Sequence, residues 1–122
     1  MSNALCWTDI PVTDLERAST FYSAVFGTQL TKQSMPGMEF VLLPHPENSV
    51  SGCLCTPKDN RPSDHGPLTY LSVEGRLDAA IKAVKQSGGK VVVEKEQIGP
   101  YGFRAVVLDT EGNRVALHSQ KA

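Results

Sequence analysis

The sequence predicts an α+β fold of two βαβββ modules, whose strands form a cupped mixed sheet around a central cleft. Three observations carry that reading. A capped amphipathic helix occupies 13–27, a second helical stripe before Gly88-Gly89 repeats it at an offset of 62, and segments with strand-like alternation flank both.

Cys6–Val12 reads CWTDIPV, and as a strand it places Trp7, Asp9 and Pro11 on one face, with Cys6, Thr8, Ile10 and Val12 on the other, the core face. Thr13 is read as the N-cap and Glu16 as its capping-box partner. Leu15, Ala18, Phe21, Tyr22, Val25 and Phe26 recur at helical spacing until Gly27 ends the turn. Met38–Leu43 and Val50–Cys55 are further strand candidates. In the second half, Tyr70–Val73 alternates like a strand, Leu77, Ile81 and Val84 form a helical stripe, and the run Val91–Val93 follows. Phe103–Leu108 and Arg114–His118 complete the half, joined by a turn at 109–113 whose residues bond their own backbone or tolerate positive φ.

The halves superpose in sequence. Val12 matches Val73 at 61, and after one inserted residue Leu15, Tyr22 and Gly27 match Leu77, Val84 and Gly89 at 62. The chain therefore reads as a single domain, 1–122, of module 1 (about 4–56) and module 2 (about 67–119). The Pro-, Asp- and Gly-rich loop 57–66 joins them. One helix per module covers one face of its sheet, so the other face must enclose something. Trp7 and Asp9 are expected to look into that cleft.

Composition narrows the function classes. Twelve Lys and Arg against 13 Asp and Glu give a formal charge of −1, with the basic residues scattered, so a nucleic-acid partner has no electrostatic support. The start MSNALCW lacks the basic flank and apolar run of a signal peptide, and no apolar stretch reaches the ~18 residues of a membrane span. A cytoplasmic protein without membrane contact is expected. The three cysteines, two of them in a C-x-C, are expected to be free and packed as small hydrophobes in a reducing compartment.

DIPVTDLERASTFYSAVFG at 9–27, VEGRLDAAIKAVKQSGGKV at 73–91 and DTEGNRVALHS at 109–119 resemble the vicinal oxygen chelate superfamily. It includes glyoxalase I, the bleomycin- and fosfomycin-resistance proteins and the extradiol dioxygenases. The patterns DxxRAxxFYxxVFG and D-x-EGN carry the resemblance as a pair, and with the duplicated strand order it covers nearly the whole chain. It implies a cleft that holds a divalent metal on His or Glu from four equivalent strand positions, and a homodimer. Those positions fall here on Trp7, Leu68 and Ala116, with the fourth near Cys53. Tryptophan, leucine and alanine offer a cation no suitable lone pair, so no metal or other cofactor is expected.

Several cleft residues are candidates for function. Asp9 reads either as a carboxylate able to act as base or to bind a substrate cation, or as a strand-end residue in solvent. Trp7 either fills the space of a metal or offers a flat surface to a ligand ring. His118, two residues after Ala116 and so on its face, is a candidate acid or base. His45 and His65, flanked by turn formers, read as surface residues, with cover of the cleft by the loop as a second reading for His65. Leu68, Tyr70, Ala116, Cys53, Glu39, Tyr101 and Phe103 are candidate ligand contacts. Two readings of function remain open, besides a filled-cleft protein that only pairs with another subunit. One is a metal-free protein binding a small, partly apolar molecule; the other is a glyoxalase-type lyase or isomerase using Asp9, Glu39 or His118 as base and a metal at shifted positions. Arg17, Lys82 and Lys85 read as solvated charge on the polar helix sides.

Overall fold

In the computed structural model, which describes residues 3–122, the two copies of the repeat each build a four-stranded mixed sheet carrying one helix. In module 1, β1 (Trp7–Pro11) leads into α1 (Leu15–Phe26), followed by β2 (Lys32–Met35), β3 (Met38–Leu42) and β4 (Ser51–Cys55). In module 2, β5 (Thr69–Ser72) leads into α2 (Leu77–Gln86), followed by β6 (Lys90–Gln97), β7 (Phe103–Leu108) and β8 (Arg114–Ser119). The sheet orders, β1-β4-β3-β2 and β5-β8-β7-β6, are the same order twice. In each, the first and last strands of the module run parallel while the other pairs are antiparallel. The α+β fold of paired βαβββ modules is as the sequence predicts.

Alternation decides which side chains reach the helices. Ile10, Val41 and Leu54 from the first sheet, and Leu71, Ala105, Val107, Val115 and Leu117 from the second, join Phe21, Tyr22, Val25, Leu77, Ile81 and Val84 of the helices in one hydrophobic cluster. The helices also pack against each other, so the modules share a core. Cys6 departs from its expected core place. It is exposed, because pairing with β4 begins only at Trp7. β2 has no apolar alternation in KQSM, and all four of its residues are exposed, which is why it left no signal.

Both ends of α1 are held by module 2. The N-cap is Asp14, one residue later than expected, and its carboxylate accepts from the Arg17 backbone N–H at 3.0 Å. The N–H groups of Thr13 and Asp14 both donate to Glu111 Oε1 of module 2 at 2.9 Å. Glu16 reaches Lys32 at 3.2 Å in place of the helix start. At the other end Gly27 takes the left-handed conformation, φ 72°, and Arg76 Nη1 donates to the Val25 carbonyl. A Cβ on Gly27 would lie 2.7 Å from the Arg76 guanidinium carbon, so glycine serves both the backbone and the docking. Among the described residues, no helix is long and apolar enough to cross a membrane.

Candidate functional site

β1 and β5 are terminal strands of their sheets, and residues of both line a pocket of about 540 Å³. Leu5, Trp7 and Thr8 line it from module 1, with Leu43, Pro44 and Val50 of the β3–β4 connection, and Leu68, Tyr70 and Ser72 line it from module 2. Trp7 is 47% exposed, so it forms a wall and does not fill the space. A second pocket of about 300 Å³, bordered by the same Thr8, Pro67 and Thr69, is lined by Asp9 and Pro11 of β1, Arg61 and His65 of the connecting loop, and Arg114 of β8.

The register places Asp9 beside Cys53, and Pro11 beside Cys55. The Trp7 indole N–H donates to Asp9 Oδ1 at 2.9 Å, and the Cys53 thiol donates to the same oxygen at 3.4 Å. One ligand atom from each of Asp9, Cys53 and Cys55 lies within 4.8 Å of the others. Burial pushes the Cys53 thiol up to about 12, helped by Cys55 and Asp9, and burial followed by Asp9 raises Cys55 as well. Neither is a ready nucleophile at neutral pH, since the thiolate is the reactive form.

In module 2, Tyr70, Ala116 and Val106 are neighbours across three strands, with Ser72, His118 and Arg104 one step along. Arg104 Nη1 donates to the Tyr70 hydroxyl at 2.6 Å, and its Nε pairs with Glu96 at 2.9 Å. His118 Nε2 donates to the Tyr101 carbonyl at 2.6 Å, which assigns the proton of a neutral ring to that nitrogen. The Tyr70 and His118 rings meet edge-on at 6.3 Å.

The candidate residues thus separate. Trp7, Leu68 and Tyr70 share the larger pocket, while Asp9 and His65 line the smaller one. Asp9 and His118 stand on different sheets. Glu39 is turned away from the cleft: it is opposite Ser34 and reaches Lys32 at 3.7 Å, which also holds Glu16 of α1, because odd positions of β3 share the helix face with core Val41. Phe103 likewise packs on the core cluster beside Ala105 and Val107, one residue out of register with the cleft face. Ala116 faces the cleft side but is fully buried on the interior strand between Tyr70 and Val106, and Cys53 is buried too. Tyr101 sits in a short 3₁₀ turn with its ring in solvent and its carbonyl on His118. His45 is exposed and contacts the Leu43 carbonyl.

The family model described as the Glyoxalase/Bleomycin resistance protein/Dioxygenase superfamily matches residues 4–117. The chain belongs to this superfamily. A glyoxylase-like domain-containing protein of Didymella fabae is 31% identical over 114 residues, covering 89% of this chain and 88% of that protein. Among solved structures, a glyoxalase/bleomycin resistance protein from Albidiferax ferrireducens T118 superposes with a TM-score of 0.71 at 20% identity, covering 96% of this chain and 99% of the other. The trypanothione-dependent glyoxalase I of Leishmania major gives 0.67 at 23% identity, covering 98% and 88%.

This glyoxalase-superfamily chain does not carry a donor set that fits the superfamily's divalent metal. Of the chelate positions that the resemblance implies, Trp7 donates its only polar side-chain hydrogen to Asp9, Leu68 and Ala116 have no donor atom in their side chains, and the fourth, near Cys53, offers a single thiol that cannot hold the metal alone. Residues that escaped sequence reasoning lie at the module junction. Arg17, read as solvated, binds Glu111, and Tyr22, read as core, donates to Asp109 Oδ2 at 2.6 Å. The D-x-EGN pattern was their one visible signal.

Proposed function

We propose that the protein binds a small, partly apolar molecule in the pocket between β1 and β5, without the chelate chemistry of its metal-bearing relatives. The observation that carries this is the pocket itself: about 540 Å³, with Trp7 and Tyr70 on opposite modules and aliphatic residues between them. That volume suits a small ligand, and apolar walls with a few polar groups suit binding and orientation. Thr8, Ser51 and Ser72 supply those polar groups. Bleomycin resistance in the name of a structural neighbour fits sequestration of this kind. The protein acts as a homodimer, as the resemblance implies, and the exposed Met35, Met38 and Tyr101 provide apolar surface for such pairing.

Trp7 is the only tryptophan, so its fluorescence reports occupancy of this pocket. Titration with a panel of small aromatic and aliphatic compounds should give saturable quenching or enhancement for some members, and Leu68→Arg should abolish it. Saturable binding that persists unchanged in Leu68→Arg would place the ligand elsewhere.

A further inference from the structure

We propose that Asp9, Cys53 and Cys55 form a thiolate–carboxylate site for one zinc-like divalent cation, separate from the small-molecule pocket and sharing only Cys53 with the chelate positions of the superfamily. None of the three lines the larger pocket, and two of them, Asp9 and Cys55, lie one alternation step from the chelate positions.

The geometry follows from the strands. Cys53 and Cys55 project from the same face of β4, and the parallel register with β1 brings Asp9 alongside Cys53. Their ligand atoms fall within 4.8 Å of one another, with Cys53 Sγ and Asp9 Oδ1 already 3.4 Å apart. A tetrahedral zinc with sulfur at ~2.3 Å and oxygen at ~2.1 Å separates such a pair by about 3.6 Å, and two sulfurs by about 3.8 Å. The cluster therefore needs adjustments of a few tenths of an ångström along its known edge, well within side-chain freedom.

The surroundings match as well. The Trp7 indole N–H holds the Asp9 carboxylate through Oδ1, the kind of supporting hydrogen bond that orients a metal ligand. The cysteines are buried while Asp9 is exposed and borders the smaller, solvent-open pocket, so entry and a fourth, water position both lie on the Asp9 side. On binding, each thiol gives its proton to solvent as the metal–sulfur bond forms, leaving a site with one net negative charge. Two soft donors and one carboxylate select zinc, cobalt or cadmium over magnesium and calcium.

The test is cobalt(II) titration of the reduced, chelator-washed full chain in a Cys6→Ala background, which leaves only the buried pair as thiols. The expected result is one cobalt per chain, with thiolate-to-metal charge transfer in the near ultraviolet, intense tetrahedral visible bands, and full displacement by zinc. Asp9→Asn, an exposed change that leaves the core intact, should weaken zinc by more than the roughly 10–100-fold that losing a supporting partner costs. Cys55→Ser, checked for folding by circular dichroism, should remove part of the charge-transfer band. Absence of the band in the Cys6→Ala protein, or zinc affinity unchanged in Asp9→Asn, overturns the proposal. Either result leaves the ligand titration through Trp7 and Leu68→Arg unaffected, so the two readings fail separately.

Discussion

Glu111, in the turn between β7 and β8, grips Arg17 of α1 at two points, Oε2 to Nε at 2.7 Å and Oε1 to Nη2 at 3.0 Å. The same Oε1 accepts the N–H groups of Thr13 and Asp14 just before the helix, and the Glu111 side chain is wholly buried. One carboxylate thus caps a helix of the other module, where its charge also meets the positive end of the helix dipole. Removing it leaves two backbone donors and a guanidinium without their partner. Glu111→Ala should lower stability by about 2–4 kcal/mol in urea unfolding. A loss below about 0.5 kcal/mol would show that the modules hold without this junction.

The same carboxyl makes stability depend on acid. Burial alone would raise its pKa, but the Arg17 hydrogen bond, the Asp14 and Thr13 N–H groups and the Thr110 hydroxyl bring it from 4.5 to about 2. A carboxyl lowered on folding contributes stability that is complete above its unfolded value and is lost as pH falls through its folded one. The unfolding free energy should therefore fall between about pH 4.5 and pH 2 by at most on the order of 3 kcal/mol, Arg17 being half in solvent. In Glu111→Gln that part of the acid limb should be missing; an unchanged limb would assign it to other carboxyls.

Tyr22 acts at the opposite end of the pH scale. Its hydroxyl donates to Asp109, and burial, followed by the Asp109 charge, raises it well above 10. A phenol raised on folding contributes stability that is full below its unfolded value and is lost as pH rises through the folded one. Tyr22→Phe should cost about 1–2 kcal/mol at neutral pH and flatten the alkaline loss of stability above about pH 10. Asp109 keeps Asn113 as a partner, which limits the cost.

Trp7→Ala separates a wall from a core residue. A fully buried tryptophan costs about 3–5 kcal/mol when truncated, whereas one that is 47% exposed on a pocket wall should cost about 1–2. Thermal or urea unfolding measures the difference, and a loss of the larger size would show that Trp7 carries the fold.

The cysteines should differ in reactivity. Cys6 is exposed, while Cys53 and Cys55 are buried and their thiols raised. A thiol reagent at neutral pH should modify one cysteine rapidly in the native protein and three after denaturation. Rapid modification of two or three in the native state would contradict the burial.

By itself the sequence determined the module plan: the duplicated helices with their glycine stops, the core face of Ile10 and Val12, and the cleft-side placement of Trp7 and Asp9 are all consequences of local periodicity and capping. Local periodicity has a limit of one residue, and that limit explains the misplacements. At Glu39 and Phe103 the register was set by pairing with distant strands, which put both on the helix side. The capping box expected at Thr13 and Glu16 is absent: Asp14 caps, and Glu111, nearly a hundred residues away, accepts the Thr13 N–H that the box would have given to Glu16. Only tertiary structure could decide that Trp7 lines a pocket with Tyr70, that Asp9 meets two thiols, and that Arg17 and Tyr22 lock the modules. Each of those contacts joins segments far apart in the chain, and the free energy that chooses among such pairings comes from burial and hydrogen bonding across the whole core, which no short window of sequence contains.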